Sequence, residues 1–307
     1  MGDLEGTNSS LETAKDLFSG AVGGVAQVLI GQPFDIVKVR LQTSSQYGSA
    51  LSAASRIWKT EGPLAFYKGT LTPLLGIGAC VSVQFGGFHQ ARRWFEQRNA
   101  AAAGEEPNST AASSALTYPQ YYAAGAFAGI ANTVLSAPIE HVRIRLQTQP
   151  HGANRLYAGP WDCVRKLCIQ GGGIGGLYRG GAVTVLREAQ AYGMWFLSFE
   201  MMMNWDAKRL GIDRKDIPTY KVALYGGLAG EALWASSYPL DVIKSKMQVD
   251  GFGKDQTYKT MRDCFAKTWK AEGMMGFWKG LGPTLLRAMP VSAGTFVVVE
   301  MTRRAIS

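Results

Sequence analysis

Four ionisable side chains, Arg187, Glu188, Glu231 and Arg287, interrupt stretches that are otherwise apolar. Such a group is costly in an apolar span unless it is paired or wet, so its default reading is functional. An arginine there can clamp a carboxylate through two parallel hydrogen bonds. Glu188 can receive an ammonium, and Glu231 can take a second amine or a proton. The plain alternative is an internal pair that only closes an empty cavity. Gln84, Gln190 and Trp234 could add polar or aromatic contacts, or could simply pack.

A second charged pattern occurs three times: Pro33-Phe-Asp35-Ile-Val-Lys38-Val-Arg40-Leu-Gln42, Pro138-Ile-Glu140-His-Val-Arg143-Ile-Arg145-Leu-Gln147 and Pro239-Leu-Asp241-Val-Ile-Lys244-Ser-Lys246-Met-Gln248. The copies are spaced by about a hundred residues, so the chain is one unit written three times. Acids and bases repeated at the ends of three apolar stretches point to a closed, pseudo-threefold ring of ion pairs. Such a ring can act as a gate.

The elements that must position these groups follow from the register of the prolines. Gly20, Gly125 and Gly226 share one position upstream, and Gly24, Gly129 and Gly230 lie one turn later. Glycines four apart let a neighbouring backbone approach closely. The odd helices are expected over 15–43, 120–149 and 220–248, each kinked at its proline. Short amphipathic segments follow at 53–60, 161–169 and 260–271. Glu61-Gly62 and Glu272-Gly273 end two of them, with Gln170-Gly171 in the middle copy. The triplets Tyr67-Lys68-Gly69, Tyr178-Arg179-Gly180 and Trp278-Lys279-Gly280 come next and read as interface anchors with donors for a lipid phosphate. A second apolar helix closes each repeat, at 72–97, 183–209 and 283–304. The whole of 1–307 is expected to be one domain, with repeats at 15–97, 120–209 and 220–304 and a flexible linker at 98–119. Asn108-Ser-Thr110 in that linker matches a glycosylation acceptor only by chance composition.

Apolar residues make up 47% of the 307, and several stretches reach the roughly 20 residues needed to span a bilayer. Each carries Gly, Ser, Gln or a charge on one side, as helices around a polar cavity do. A soluble helical repeat would need more Lys and Glu on a solvated face. The net charge of +9 sits mostly at helix ends and connections, which suits anionic lipid or anionic substrate better than nucleic acid. Cys80, Cys163, Cys168 and Cys264 form neither a zinc motif nor a disulfide framework, and no metal or cofactor is expected. His89, His141 and His151 are not grouped with a nucleophile or with acids, so an enzyme is not expected. Gly171-Gly-Gly173-Ile-Gly-Gly176 satisfies a dinucleotide fingerprint in form, but it follows a helix rather than a strand. Residues 1–14 are polar and acidic, unlike a leader, so targeting is expected to be internal.

The triplicated motif, the acid-glycine pairs and the aromatic-base-glycine triplets resemble the mitochondrial carrier family along nearly the whole chain. The resemblance implies an all-α membrane protein: six tilted transmembrane helices in three repeats, with short matrix helices. It implies a monomer of the inner membrane, termini toward the intermembrane space, cardiolipin at the glycine triplets, and alternating access around one central site. Asp35, Lys38, Glu140, Arg143, Asp241 and Lys244 would pair cyclically as the matrix gate, braced by Gln42, Gln147 and Gln248.

The opposite gate of the family is an aromatic-acid-x-x-base pattern on the even helices. Here it reads Phe88-His89-x-x-Arg92, Phe199-Glu200-x-x-Met203 and Val299-Glu300-x-x-Arg303. The pair that His89 and Met203 would form is lost, leaving Glu200–Arg303 and Glu300–Arg92 as the expected cytoplasmic gate. Either the matrix-open state is disfavoured, or His89 and Met203 pack there instead. By the same resemblance the substrate contact points are Gly76 with Ile77, Arg187 with Glu188, and Arg287 with Ala288. An Arg-acid pair followed by Gly193 and aromatics is similar to the branch that carries carnitine, ornithine, arginine and related amino acids. A zwitterionic carboxylate moved by counter-exchange is therefore expected, against a dicarboxylate or keto-acid carrier or an uncoupling-type leak.

Overall fold

The computed structural model describes residues 2–44, 46–103, 116–150, 152 and 155–306. Asn108, His151 and most of the first linker lie outside them. The described residues form nine α-helices and short 3-10 turns, with no strand. The long odd helices are α1 (Gly2–Thr43), α4 (Tyr118–Thr148) and α7 (Thr219–Val249). The even ones are α3 (Leu71–Ala102), α6 (Gly181–Leu210) and α9 (Leu281–Ile306). Short α2 (Ala50–Glu61), α5 (Pro160–Gln170) and α8 (Met261–Glu272) join them. α1 starts well before the expected Lys15, because residues 3–14 contain no proline and a single glycine to stop it.

Neighbouring helices pack in the order α3–α4–α6–α7, and α1 packs on α9 to close the bundle. Among the described residues, four segments are long and apolar enough to cross a membrane: Phe18–Thr43, Pro63–Ala102, Tyr118–Thr148 and Met274–Ile306. α6 and α7 are as long, but Arg187 and Glu188 interrupt the first and Glu231 the second.

The glycine groove is realised in one repeat only. A Cβ on Gly125 would stand 2.5 Å from the Tyr192 carbonyl oxygen, and one on Gly129 would stand 2.3 Å from that of Glu188, so α4 and α6 touch backbone to backbone. Gly20, Gly24, Gly226 and Gly230 face open space. The register repeats, but the helix pair that exploits it does not.

The triplet glycines show why the ring closes. Gly69, Gly180 and Gly280 have φ near +77°, +76° and +87°, a region that L side chains rarely adopt. Each packs on the odd helix of the next repeat, Gly69 at Arg143 and Gly280 at Lys38 of α1. Two of the short helices are capped, α2 by Ser49, which accepts from the Ser52 amide, and α8 by Thr260, which accepts from the Asp263 amide.

Candidate functional site

The proline motifs bring their charges together at one end of the bundle. Lys38 Nζ lies 2.8 Å from Asp241 Oδ2, Arg143 Nη2 lies 2.6 Å from Asp35 Oδ2, and Lys244 Nζ lies 2.7 Å from Glu140 Oε2. The six groups are therefore paired cyclically, each between repeats. Gln42 donates to Asp241 at 3.0 Å. The bracing expected of Gln147 and Gln248 is absent: Gln147 Nε2 and both polar atoms of the Gln248 side chain are buried without a partner. Gln32 supplies a brace that the motif does not contain, accepting from Arg143 at 2.7 Å. Lys38 also sits 4.1 Å above the Trp234 ring, where the ring face attracts the ammonium.

A cavity of about 300 Å³ lies against this ring. Arg187, Glu188, Arg287, Gly76, Ile77, Cys80 and Trp234 line it together with the ring residues. Gly76 is buried because a Cβ there would stand 2.5 Å from the Ile139 Cδ1 methyl. Ala288, Gln84 and Glu231 are half-buried and are not among the lining residues. Helical period explains this: Glu231 lies ten residues before Asp241 on α7, nearly three turns from the ring.

The site arginines are not free clamps in this structure. Arg187 is bonded to Glu188, and its Nε lies 3.5 Å from Asp241 Oδ1. Arg287 Nη1 lies 3.2 Å from Asp35 Oδ2. Both guanidiniums lie near the Trp234 ring, at 4.9 and 5.9 Å from its centre. The internal pairs of the plain reading exist, and they reach the gate acids. The cavity wall and the ion-pair ring therefore share the same two arginines.

At the other end, the even-helix charges have local partners. Arg214, from the turn Arg214–Asp216, holds Glu200 through both terminal guanidinium nitrogens, with Nη2 at 2.6 Å. Arg92 binds Glu96 at 2.7 Å, and Arg304 binds Glu300 at 2.8 Å. The expected Glu200 and Glu300 pairings with Arg303 and Arg92 thus give way here to Arg214 and to neighbours one turn along. Met203 is buried and His89 is exposed. Phe88 stacks on Phe196, their ring centres 3.7 Å apart.

Three clamps flank the gate ring on its short-helix side, and they are not equivalent. Glu61 joins Arg40 and Lys68, at 2.9 and 2.5 Å, and Glu272 joins Lys246 and Lys279, at 2.5 and 2.6 Å. Burial pushes these carboxyls up, but the hydrogen bonds from their bases outweigh it and hold both below the usual carboxylate range. The middle repeat has Gln170 at this position, so its bases turn to the next repeat. Arg179 reaches Asp250 Oδ2 at 2.7 Å and the Gly251 carbonyl, while Arg145 donates to the Asp250 carbonyl at 2.6 Å. Asp250 also accepts from the Thr257 and Tyr258 amides, both at 2.9 Å for the nearer oxygen. His141 adds a buried link, its ring nitrogens 3.0 Å from the Leu177 carbonyl and 2.9 Å from that of Gln248. Asp250 and His141 carry no motif signal. The missing acid at Gln170 was the available hint.

This geometry has a clear counterpart among known sequences. The family model for mitochondrial carrier proteins matches residues 9–99, 114–209 and 215–307. The chain belongs to the mitochondrial carrier family. It is thus a transporter, not an enzyme. It is 47% identical to the mitochondrial glycine transporter YMC1 of Saccharomyces cerevisiae, covering 97% of this chain and 94% of that protein. It is 45% identical to the glutamate/glycine mitochondrial carrier ymc1 of Schizosaccharomyces pombe, covering 96% of this chain and 95% of the relative. The human mitochondrial basic amino acids transporter is 37% identical, with 94% and 89% covered.

Proposed function

We propose that this carrier exchanges an amino acid across the mitochondrial inner membrane by alternating access, with the cargo held between Arg187, Glu188 and Arg287. The observation that carries the reading is the placement of both arginines. Each lines the cavity and each touches a gate acid, Arg187 at Asp241 and Arg287 at Asp35. A cargo carboxylate would draw one or both guanidiniums away from those acids, and its ammonium would take the side of Glu188 that Arg187 leaves. Binding then weakens the ring by removing cations from it, which is the differential interaction that a ligand needs to shift a conformational equilibrium.

The structure is read as the state closed by the odd-helix ring, with the even-helix charges waiting on local partners. In the opposite state the ring opens, and Glu200 and Glu300 would exchange those partners for Arg303 and Arg92. Glu231, off the cavity wall, is left as a site for a proton or a second amine in another state. The relatives at 47% and 45% identity are named for glycine, and the one at 37% for basic amino acids. A small α-amino acid therefore suits the reading better than a carnitine-like cargo. The termini are placed toward the intermembrane space, and the protein is read as a monomer. Lys68, Gly69 and Arg155 line a separate cavity of about 440 Å³, which suits a cardiolipin phosphate.

Uptake into proteoliposomes tests this. Glycine, glutamate, ornithine, arginine, carnitine, a dicarboxylate and a keto acid are offered to vesicles with and without internal substrate. Uptake of an amino acid only into loaded vesicles, crippled by Glu188→Gln, is the expected result. Uptake without internal substrate would mean a leak. A Glu188→Gln variant that moves amino acids normally would misplace the site.

A further inference from the structure

Helical Ser and Thr hydroxyls usually return to the carbonyl one turn back when nothing better is offered. Thr133 does so on α4, bonding Gly129 at 2.9 Å. Ser237 on α7, the repeat counterpart of Ser136, bonds Leu233 at 2.7 Å. Ser136 itself does not. Its Oγ, and the Oδ1 of Asn132 one turn before it, are buried and have no partner in the protein. Asn132 is only 3% exposed and Ser136 only 6%, yet both line the central cavity. Positions four apart present these groups on one helix face.

Their place on that face is informative. Gly129, three residues before Asn132, abuts the Glu188 backbone, so this wall borders the Arg187–Glu188 pair. One turn beyond Ser136 stands the gate acid Glu140, bonded to Lys244. The counterparts of Asn132 in the other repeats are Gln27 and Leu233, and those of Ser136 are Gly31 and Ser237. The Asn-Ser pair thus belongs to one side of the cavity. A buried acceptor left unpaired is expensive, so a site that carries one is complementary to a donor.

We infer that Asn132 and Ser136 are specificity-determining residues that accept the N–H groups of a primary ammonium, selecting it over an N-methylated one. The inference rests on the amino-acid reading above and deepens it. Glu188 neutralises any ammonium, methylated or not, because charge alone does not count N–H groups. Asn132 and Ser136 count them: a quaternary ammonium has none and would leave both oxygens unpaired. A site built to hydrogen-bond an N–H rejects an analogue that lacks it more strongly than an apolar pocket rejects an extra methyl.

The test uses the full chain in glycine-loaded proteoliposomes. Labelled glycine uptake is competed by glycine, N-methylglycine, N,N-dimethylglycine and N,N,N-trimethylglycine. If ornithine is the amino acid exchanged, the same series is built on ornithine. Potency should fall along the series by roughly tenfold or more from first to last. Asn132→Leu keeps the volume and removes the acceptor. It should weaken glycine about tenfold and leave the trimethyl compound nearly unchanged, so that the spread collapses. Exclusion of methyl groups by shape alone would keep the spread intact in that variant and overturn the inference. Ser136→Ala, checked for folding by thermal unfolding, gives the same readout if Asn132→Leu does not fold. If the wild type exchanges no amino acid but takes a dicarboxylate or keto acid, the amino-acid reading itself fails. If it exchanges amino acids and both variants keep the wild-type spread, only this inference fails.

Discussion

Removing the charge of Asp241 should open the gate ring and destabilise the protein, and the size of both effects can be worked from its contacts. Its side chain is 3% exposed and faces Lys38 at 2.8 Å, with Lys244 and Arg187 each at 3.5 Å. At an effective dielectric of 20 these attractions are about 6 kcal/mol for the first and about 5 kcal/mol for each of the others. The desolvation of the four groups offsets most of that sum, so the net cost of Asp241→Asn is about 3–5 kcal/mol, mainly from cations left buried without their anion. For a chain of this size that corresponds to a fall of roughly 5–15 °C in the melting temperature of purified protein. The double variant Lys38→Gln/Asp241→Asn removes one stranded cation as well, and should recover about 1–3 kcal/mol relative to Asp241→Asn alone. Access is read separately, by labelling the cavity residue Cys80 with an impermeant maleimide in a background lacking the other three cysteines. Asp241→Asn should lower external labelling by favouring the matrix-open state. A double variant as unstable as the sum of the two single ones, together with unchanged labelling, would refute the gate reasoning.

Asp250→Asn should weaken the link between the second and third repeats and favour the matrix-open state, by the same labelling assay. Gln170→Glu should act likewise by drawing Arg145 and Arg179 back into their own repeat. Glu61→Gln should cost about 1–3 kcal/mol, seen as a lower melting temperature at neutral pH. Because the Glu61 carboxyl is held below its unfolded value near 4.5, its stabilisation is complete above that pH and is lost as pH falls through the folded value. The gap between wild type and Glu61→Gln should therefore be flat from pH 6 to 8 and should narrow below about pH 4. Arg214→Ala should free Glu200 for the opposite gate, lowering external labelling of Cys80. Unchanged labelling would make Arg214 a bystander.

Much of the architecture was legible from position alone. Three prolines with acids and bases at matching offsets announced the repeat, and the ring pairs Lys38–Asp241, Arg143–Asp35 and Lys244–Glu140 form as cyclic symmetry requires. Helix ends fell close to their punctuation, because Gly62, Gly273 and the triplet glycines stop and turn the chain. The bracing glutamines were legible only in part. Gln42 reaches its acid while Gln147 and Gln248 do not, since a side chain's partner depends on rotamer and on what the next helix offers.

What the sequence determined by itself was the transporter scaffold: the threefold repeat, the charges of the ion-pair ring, and the Arg-acid pair that breaks the symmetry. These are read from residue type and spacing, because helical period and repeat register carry them along the chain. Tertiary structure decided the partnerships. It joined Arg187 to Asp241 and Arg287 to Asp35, sent Arg179 to Asp250, gave Glu200 to Arg214, and left Asn132 and Ser136 unpaired beside the cavity. Each of these depends on which faces of distant helices meet. A few ångströms separate a hydrogen bond from no bond, and no spacing along one helix sets that distance.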